Sequence, residues 1–504
     1  MTIEILYYKI TNSCELKIYI FANWAIDFAV SENKQYVYSF FYCDYFLRGG
    51  FLMENVEKLS NSKPSSYNPM TDRSVVPLLI SMAVPPMISM LIQSLYNIVD
   101  SIFVAQISQN ALTAVSLAFP LQNLSLSFGV GLGVAVNANI AINMGAGNME
   151  KADSYAGQGI ILTIVHALLF VLIGLFGLRP FFSMFTNNPE VINYAIQYGS
   201  VVITLTFGSL FHILFEKIFQ SNGNMVVPMF LQGFGAIVNI ILDPILIFGM
   251  FGAPQMGVLG AAVATIIGQF CAATLAVILF LKQSPVKIKR HHLKVNFKLI
   301  SDLYKVALPS GVMMSLPSIL VSILNGILAS VSQAGIAFFG IYYKLQTFVN
   351  MPVTGIIQGM RPIVSYNYGA ELKDRVLKTI KYAMIFSAVI LVSGTIAFNL
   401  FTKDLLVMFS ATDELLGFGI PGLKILSLGF AFSFVGITMS GVFEALGKGF
   451  YSLLISIFRQ LIIIVPLSLI LVKSIGLTGV WITFPIAEFV AAIIAISLYK
   501  RVVK

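Results

Sequence analysis

Two aspartates stand inside apolar runs where a charge is expensive. Asp100 and Asp243 each lie about seven residues before the end of a helix-length apolar run. A carboxylate at the bilayer midplane costs about 2.5–3.5 kcal/mol on insertion scales, so such residues generally face a polar interior and serve ions, protons or substrates. These two acids are therefore the first candidates for chemistry.

Polar residues at helical spacing from the two acids could complete a site with them. Residues three or four positions apart share one helical face. The set comprises Gln93, Tyr96, Asn97, Asn239 and, on the next predicted helix, Thr265. Carboxylate, amide and hydroxyl oxygens suit a proton or a hard cation, and Na⁺ could bind at Asp100, Asn239 and Asp243. Gln93 is a weaker candidate, for a substrate cavity.

A low-dielectric interior disfavours the charged form of a carboxyl group, and a second acid nearby disfavours it further. Such a pair can load and release a proton. The alternative is structural: each aspartate only hydrogen-bonds a helix break, as at Asp243-Pro244. The residues favour ion coupling and leave both interpretations open.

Composition places these acids in a membrane. Of 504 residues, 57% are hydrophobic and 11% charged, and the mean hydropathy is +0.87. Soluble domains carry roughly 25% charged residues. These values argue against a cytosolic enzyme, a disordered chain and a disulfide-rich secreted domain, and predict an all-α polytopic membrane protein. The net charge of +9 is attributed to topology rather than nucleic-acid binding.

No cofactor or catalytic residue is expected. The sequence has no phosphate-binding G-x-x-x-x-G-K-[ST] motif, so ATP-driven transport by this chain is not expected. Neither the cysteines nor the four histidines show a metal-ligand pattern, and no His/Asp/Glu cluster suggests an enzyme. An ion gradient, H⁺ or Na⁺, remains as the energy source.

Apolar runs of membrane-spanning length predict twelve transmembrane helices. They fall near 75–106, 111–138, 155–178, 191–215, 226–250, 257–281, 300–331, 335–360, 376–400, 416–440, 449–472 and 477–499. An internal repeat at an offset of 224 residues divides them into two sets of six: Asn143-Met144-Gly145-Ala146 matches Asn367-Tyr368-Gly369-Ala370, for example. Six is even, so both copies face the same way, and a pseudo-twofold axis should lie along the membrane normal.

The domain boundaries follow from these runs. We expect a cytoplasmic tail at 53–73, six-helix bundles at 74–281 and 300–499, a cytoplasmic linker at 282–299 and a tail at 500–504. Residues 1–52 have no spanning run and end near Arg48-Gly49-Gly50, which a ribosome-binding site read in frame can encode. We expect translation to start at Met53; the alternative is a genuine regulatory extension.

Basic residues concentrate in alternate loops, which predicts that both termini are cytoplasmic. Glu216, Lys217 and Glu444 fall at predicted inner helix ends and are expected to be solvated. Lys344, Arg459 and Glu488 lie deeper. The two cations could bind an anionic group, although snorkelling or a structural ion pair is at least as plausible.

Four fragments together resemble the multidrug and toxic compound extrusion (MATE) family, in particular its DinF-like branch, over about residues 74–499. They are Leu95-Tyr96-Asn97-Ile98-Val99-Asp100, Asn239-Ile240-Ile241-Leu242-Asp243-Pro244, residues 361–370 (RPIVSYNYGA) and Phe443-Glu444-Ala445-Leu446-Gly447-Lys448. The resemblance implies an antiporter that exchanges H⁺ or Na⁺ for drug-like, often cationic, compounds by alternating access. It makes Asp100 and Asp243 the coupling acids, with Asn239 and Tyr96 as neighbours and Thr265 as a less certain match.

The expected partners are small organic substrates and the lipid bilayer, with no ATPase subunit. We expect a monomeric, multi-pass protein of the plasma (inner) membrane. A flippase for lipid-linked saccharides, which has a related architecture, is the main alternative. A flippase usually needs a cationic cavity for pyrophosphate, and the paired acids argue against one. A channel is a third possibility.

Overall fold

The computed structural model describes residues 68–409 and 411–502. The predicted start at Met53, the 1–52 extension and most of the 53–73 tail lie outside the described residues. Within the described ranges, all regular secondary structure is helical.

Twelve long helical segments follow one another along the chain. The first six are α1 (Val75–Ile107), α2 (Gln109–Gly145), α3 (Met149–Ser183), α4 (Pro189–Thr204 and Phe207–Ser221), α5 (Val226–Phe248) and α6 (Val258–Gln283). The second six are α7 (Phe297–Ala329), α8 (Gln333–Gly369), α9 (Lys373–Leu400), α10 (Asp413–Leu428 and Phe430–Ala445), α11 (Gly449–Ile475) and α12 (Leu477–Val502).

Length and hydropathy make most of these segments capable of crossing a membrane. Among the described residues nine helices qualify outright, and eleven qualify if each of the bent pairs α4 and α10 counts as one span. The remaining segment is α8, whose apolar run is interrupted by Lys344, Arg361 and several amides. The predicted all-α fold is confirmed.

The predicted helix bounds need correction where polar residues continue a helix. The α2 and α8 segments run to Gly145 and Gly369, well past the predicted ends at 138 and 360. Their final turns are polar, so hydropathy alone ends the span too early. The α4 segment was expected as one helix and instead bends by 42°.

Repeat-related features recur at the same positions in both halves. The α10 segment also bends by 42°, at Gly429, which lies 224 residues after Leu205 at the bend of α4. The Ser108 hydroxyl accepts a hydrogen bond from the Ala111 N–H at the start of α2, and Ser332 does the same for Gly335 at the start of α8. The internal repeat therefore reproduces helix caps and bends as well as sequence.

The two halves pack tightly at one end of the bundle, which we call the linker end. It is the end where α1 begins, α2 and α8 finish, and α6 leads into α7. There a Cβ atom on Gly145 would overlap the Tyr366 carbonyl oxygen of α8, and one on Gly369 would overlap the Ile142 carbonyl oxygen of α2. The α1 segment meets α8 at Met82 and Gly359 nearby. Only residues without a side chain permit this backbone approach.

Adding a methyl group at this contact should separate the halves. We expect Gly145→Ala and Gly369→Ala each to destabilise the protein by about 1–3 kcal/mol, the usual range for overpacking. Thermal unfolding of the purified protein measures the change. The control is Gly340→Ala on α8, where an added Cβ would meet no atom within 4 Å. Equal unfolding temperatures for all three variants would contradict this account.

Candidate functional site

The structure brings the two predicted acids together. Asp100 on α1 is 9% exposed and Asp243 on α5 is completely buried, and their carboxyl groups are close enough to interact electrostatically. Both lie towards the end of the bundle opposite the linker end. The candidate acids therefore belong to the first half alone, and Asp100 lies six residues beyond Ser94, where α1 still contacts Met351 of α8.

A short hydrogen-bond network joins three helices around the acids. The Asn239 amide donates to Asp243 Oδ1 at 3.3 Å and to Thr265 Oγ1 at 3.3 Å. The Thr265 hydroxyl also pairs with the Tyr96 hydroxyl at 3.4 Å. Thr265 on α6 thus links α5 to α1, and the predicted residues Tyr96, Asn239 and Thr265 converge on the acids.

Glycines position the Asn239–Thr265 contact. A Cβ atom on Gly268 would lie 2.7 Å from the Gly235 carbonyl oxygen, so α5 and α6 touch backbone to backbone. Gly268 is one turn from Thr265 on α6, and Gly235 is one turn from Asn239 on α5. This close approach brings two short polar side chains within hydrogen-bond distance.

Three buried oxygens in the cluster have spare capacity to accept. Asp100 Oδ1, Asn239 Oδ1 and Asp243 Oδ2 accept no hydrogen bond from the described residues. Buried acceptors normally have a partner. A carboxylate oxygen can bind a proton, and carboxylate and amide oxygens together can bind Na⁺. These three oxygens therefore fit either coupling ion.

Two further residues, Tyr198 and Gln122, belong to the cluster but were not predicted from the sequence. Tyr198 on α4 is 3% exposed and interacts electrostatically with Asp100, Asp243 and Tyr96. Its hydroxyl is hydrogen-bonded to Gln122 of α2. A glutamine inside the apolar run of α2 was the available signal.

The remaining predicted residues, Gln93 and Asn97, are exposed on α1. No hydrogen bond joins either side chain to the acids within the described part of the chain. Asn97 instead serves through its backbone carbonyl, which accepts from the Ser101 hydroxyl at 2.8 Å.

Lys217 is buried rather than solvated as expected. Its ammonium group contacts Glu216 Oε1 at 2.8 Å, Gln220 Oε1 at 3.0 Å and, across the halves, Gln358 Oε1 at 3.4 Å. The expectation was wrong because the end of α4 is covered by α8 of the other half, through the contact with Gln358, and is not exposed in a loop.

Glu444 is also buried and paired. It forms an ion pair with Arg361 and accepts a hydrogen bond from the Ser310 hydroxyl at 2.6 Å. Deeper in the second half, Arg459 pairs with Glu488 at 3.3 Å, which is the structural alternative foreseen for Arg459. Each of these cations has an acidic partner within its own half.

A cluster of Glu150, His291 and His292 forms at the linker end, although the sequence predicted no histidine site. Both imidazole Nε2 atoms lie 2.7–2.8 Å from Glu150 Oε1. The His292 Nδ1 atom accepts the Lys289 N–H at 3.1 Å, so its Nε2 carries a proton and donates to Glu150. That tautomer attaches the linker to α3 and does not present His292 Nε2 as a metal ligand.

The MatE family model matches residues 85–245 and 309–470, two segments that begin 224 residues apart. The chain belongs to the MatE family. Each matched segment lies within one half and extends from its first helix to its fifth.

Relatives of the MatE chain are named for the transport of different compounds. It is 26% identical to the multidrug export protein MepA of Staphylococcus haemolyticus, over 85% of this chain and 94% of the relative. It is 24% identical to the FAD transporter of Shewanella oneidensis, over 84% and 94%.

Solved MatE-type structures share the whole fold. One is described as an outward-facing conformation of a multidrug resistance MATE family transporter of the MOP superfamily; it has a TM-score of 0.80 at 25% identity, covering 87% of this chain and 98% of that one. A MOP superfamily transporter from Pyrococcus furiosus, reported to have a binding pocket of reversed polarity, has the same score, identity and coverage.

Thr265→Val should weaken the MatE cluster because valine keeps the shape and removes the hydroxyl shared by Asn239 and Tyr96. Leaving buried polar groups unpaired costs about 1–3 kcal/mol. We expect a loss of stability of that size in denaturant or thermal unfolding. The control is Thr274→Val, an exposed position on the same helix, which should change stability by less than about 0.5 kcal/mol. A similar loss in both variants would show that the hydroxyl network is not the cause.

Proposed function

We propose that this MatE protein is a secondary antiporter that exports drug-like, often cationic, organic compounds in exchange for H⁺ or Na⁺. The observation that carries the proposal is the buried pair Asp100 and Asp243, with an oxygen of each carboxyl group free to accept. The relative named as a multidrug export protein supports the export of several compounds. We propose no enzymatic activity and no ATPase partner, and a monomer as the working unit.

The orientation follows from charge. Basic residues of the linker and of the helix ends on the same side favour a cytoplasmic linker end, with both termini on that side. The tight contact at Gly145 and Gly369 then closes the inner end, and the acids lie towards the outside. This arrangement corresponds to a state that receives the ion from outside, and the match to an outward-facing structure supports it.

Transport then proceeds by alternating access. The ion binds to the free oxygens of Asp100 and Asp243, and this neutralises charge in the cluster. The hydrogen bonds among Tyr96, Asn239 and Thr265 rearrange with it, because Asn239 bonds Asp243 directly. The drug is released, the halves rock, and the ion leaves on the other side.

We propose that a bend in α1 transmits ion binding at the acids to the contact between the halves at the linker end. Pro85 and Pro86 lie inside α1 and are buried beside Met82, where α1 meets α8. Proline removes backbone hydrogen bonds and permits a kink. Bending α1 at this point would move the acid-bearing segment relative to the contact between the halves.

The flippase alternative is less well supported. A pyrophosphate-binding cavity requires unpaired cations. Lys217, Arg361 and Arg459 each form an ion pair with a glutamate instead. Two cations within the described helical segments, Lys344 of α8 and Lys424 of α10, are exposed and form no ion pair, which is a small charge for a diphosphate. The DinF-like branch and the identity of the coupling ion remain proposals.

Drug-driven ion flux in proteoliposomes tests the proposal, with pH and Na⁺ gradients imposed separately. A drug gradient should drive counterflow of only the ion that couples. Stimulation by neither gradient would refute secondary antiport, and a requirement for ATP would do the same.

The substitutions Asp100→Asn and Asp243→Asn should each abolish coupled efflux, because an amide cannot exchange a proton or neutralise a cation. We expect at least a hundredfold loss of flux, on the order of one buried charge interaction, with normal amounts of protein in the membrane. The control is Asp413→Asn at an exposed helix start, which should retain wild-type flux. Wild-type transport in both site variants would exclude the coupling role.

A further inference from the structure

The linker between α6 and α7 is held firmly against the first half. The Lys287 N–H donates to Asp153 Oδ1 at 2.8 Å, and Gln158 of α3 bonds the carbonyl oxygens of His292 and Lys294 at 3.0 and 2.8 Å. The Asn296 N–H donates to Gln158 Oε1 at 3.0 Å. The linker therefore has a fixed inner face.

Buried side chains define that inner face. Val286 and His292 are each only 2% exposed, and Ile288 packs partly buried against the same core as Val286. His292 and its neighbour His291 are fixed by Glu150. With one face docked, the other side chains of the linker must point away from the protein.

The outer face combines cations with exposed apolar side chains. Its basic residues are Lys282, Lys287, Lys289, Arg290, Lys294 and Lys298, all exposed. None of the six forms an ion pair within residues 68–409 and 411–502. Nearby Asp153 and Glu150 are occupied by the Lys287 backbone and the two histidines. The carboxylates of Asp153 and Glu150 offset only part of these six positive charges, so the linker keeps an excess of positive charge.

Apolar residues are interleaved with these cations. Leu293, Val295 and Phe297 are 43%, 57% and 81% exposed. Leu293 ends a short 3₁₀ helix, Val295 lies in the connection that follows, and Phe297 is the first residue of α7; Lys294 and Lys298 lie between and after them. Water is a poor environment for a phenylalanine this exposed, whereas the boundary between headgroups and acyl chains accepts it.

We propose that this outer face, which we call the linker surface (residues 282–298), binds the anionic phosphate headgroups of phospholipids in the adjacent leaflet. The linker joins the ends of two membrane-spanning helices, so it lies at the height of the headgroups. Lysine and arginine close to an anionic membrane surface contribute about 1 kcal/mol each. Leu293, Val295 and Phe297 anchor the same segment in the boundary region.

Lipid binding at this surface would stabilise the contact between the halves. The linker is hydrogen-bonded to α3 and continuous with α7. Those two helices also contact each other directly. The Tyr155 hydroxyl donates to Asp302 Oδ2 at 3.3 Å, and His166 Nε2 is hydrogen-bonded to the Tyr304 hydroxyl at 2.9 Å. Holding the linker in place therefore holds α3 and α7 together. The proposal does not depend on which compound or ion the protein transports.

Native mass spectrometry of the full-length protein, titrated with phosphatidylglycerol or phosphatidylcholine, tests the headgroup preference. The triple variant Lys287→Gln, Arg290→Gln, Lys294→Gln should bind phosphatidylglycerol at least about tenfold more weakly. The matched control is Lys373→Gln, Lys378→Gln, Lys381→Gln. It removes three exposed charges from the linker end of α9, where Glu371 and Asp374 are close in sequence, and it should lose less than about twofold. Inorganic phosphate at the same concentration should not displace the lipid.

A second measurement tests the apolar anchor independently of any charge change. The indole introduced by Phe297→Trp should be quenched by brominated lipid in vesicles containing phosphatidylglycerol, beyond the signal of the parent chain with its two tryptophans. An unquenched indole would overturn the proposal. Wild-type lipid affinity in the linker variant, an equal loss in both triple variants, or displacement by inorganic phosphate would also overturn it.

Discussion

A charge inside this helix bundle requires a partner, since the surrounding side chains and lipid cannot solvate it. Three buried or half-buried basic residues meet that requirement with a glutamate: Lys217 with Glu216, Arg361 with Glu444, and Arg459 with Glu488. Asp100 and Asp243 differ from these pairs. They have amide and hydroxyl neighbours and each other, and no ion pair joins either to a cation in the described residues. We propose that an ion from outside the protein balances their charge, and the proposed transport cycle rests on that difference.

The two halves share a fold but not this chemistry. The repeat conserves helix caps at Ser108 and Ser332 and the bends of α4 and α10. At the same offset, Asp100 and Asp243 correspond to Leu324 and Leu467. The second half instead contains the fixed pair Arg459–Glu488. In the proposed transport cycle the ion therefore acts on the first half, on one side of the contact between the halves.

Much of the fold and part of the candidate site could be predicted from the sequence, because hydropathy and helical spacing depend on residues close together in the chain. The twelve helices followed from the apolar runs, and the placement of Tyr96 and Asn239 beside the acids followed from i, i+4 spacing. The same spacing also selected Gln93 and Asn97, which are exposed. Tyr198 and Gln122 were not predicted, since their neighbours come from helices distant in the chain. Lys217 was misjudged for the same reason: its partner Gln358 lies 141 residues away. Local patterns place a residue on a helix, whereas only packing decides what covers it.

The polarity of α8 has a consequence for biogenesis. This segment is the one long helix of the described chain that does not qualify as a membrane span by hydropathy, alone or as part of a bent pair. For a nascent helix that carries Lys344 and Arg361, the free energy of insertion from the translocon into the bilayer is unfavourable without other helices to contact. The surfaces that receive it, at Met82 and Met87 of α1 and Ile142 of α2, are synthesised long before it. We therefore expect the first half to provide the surface against which α8 inserts, which would make the order of translation part of how the protein reaches its native topology.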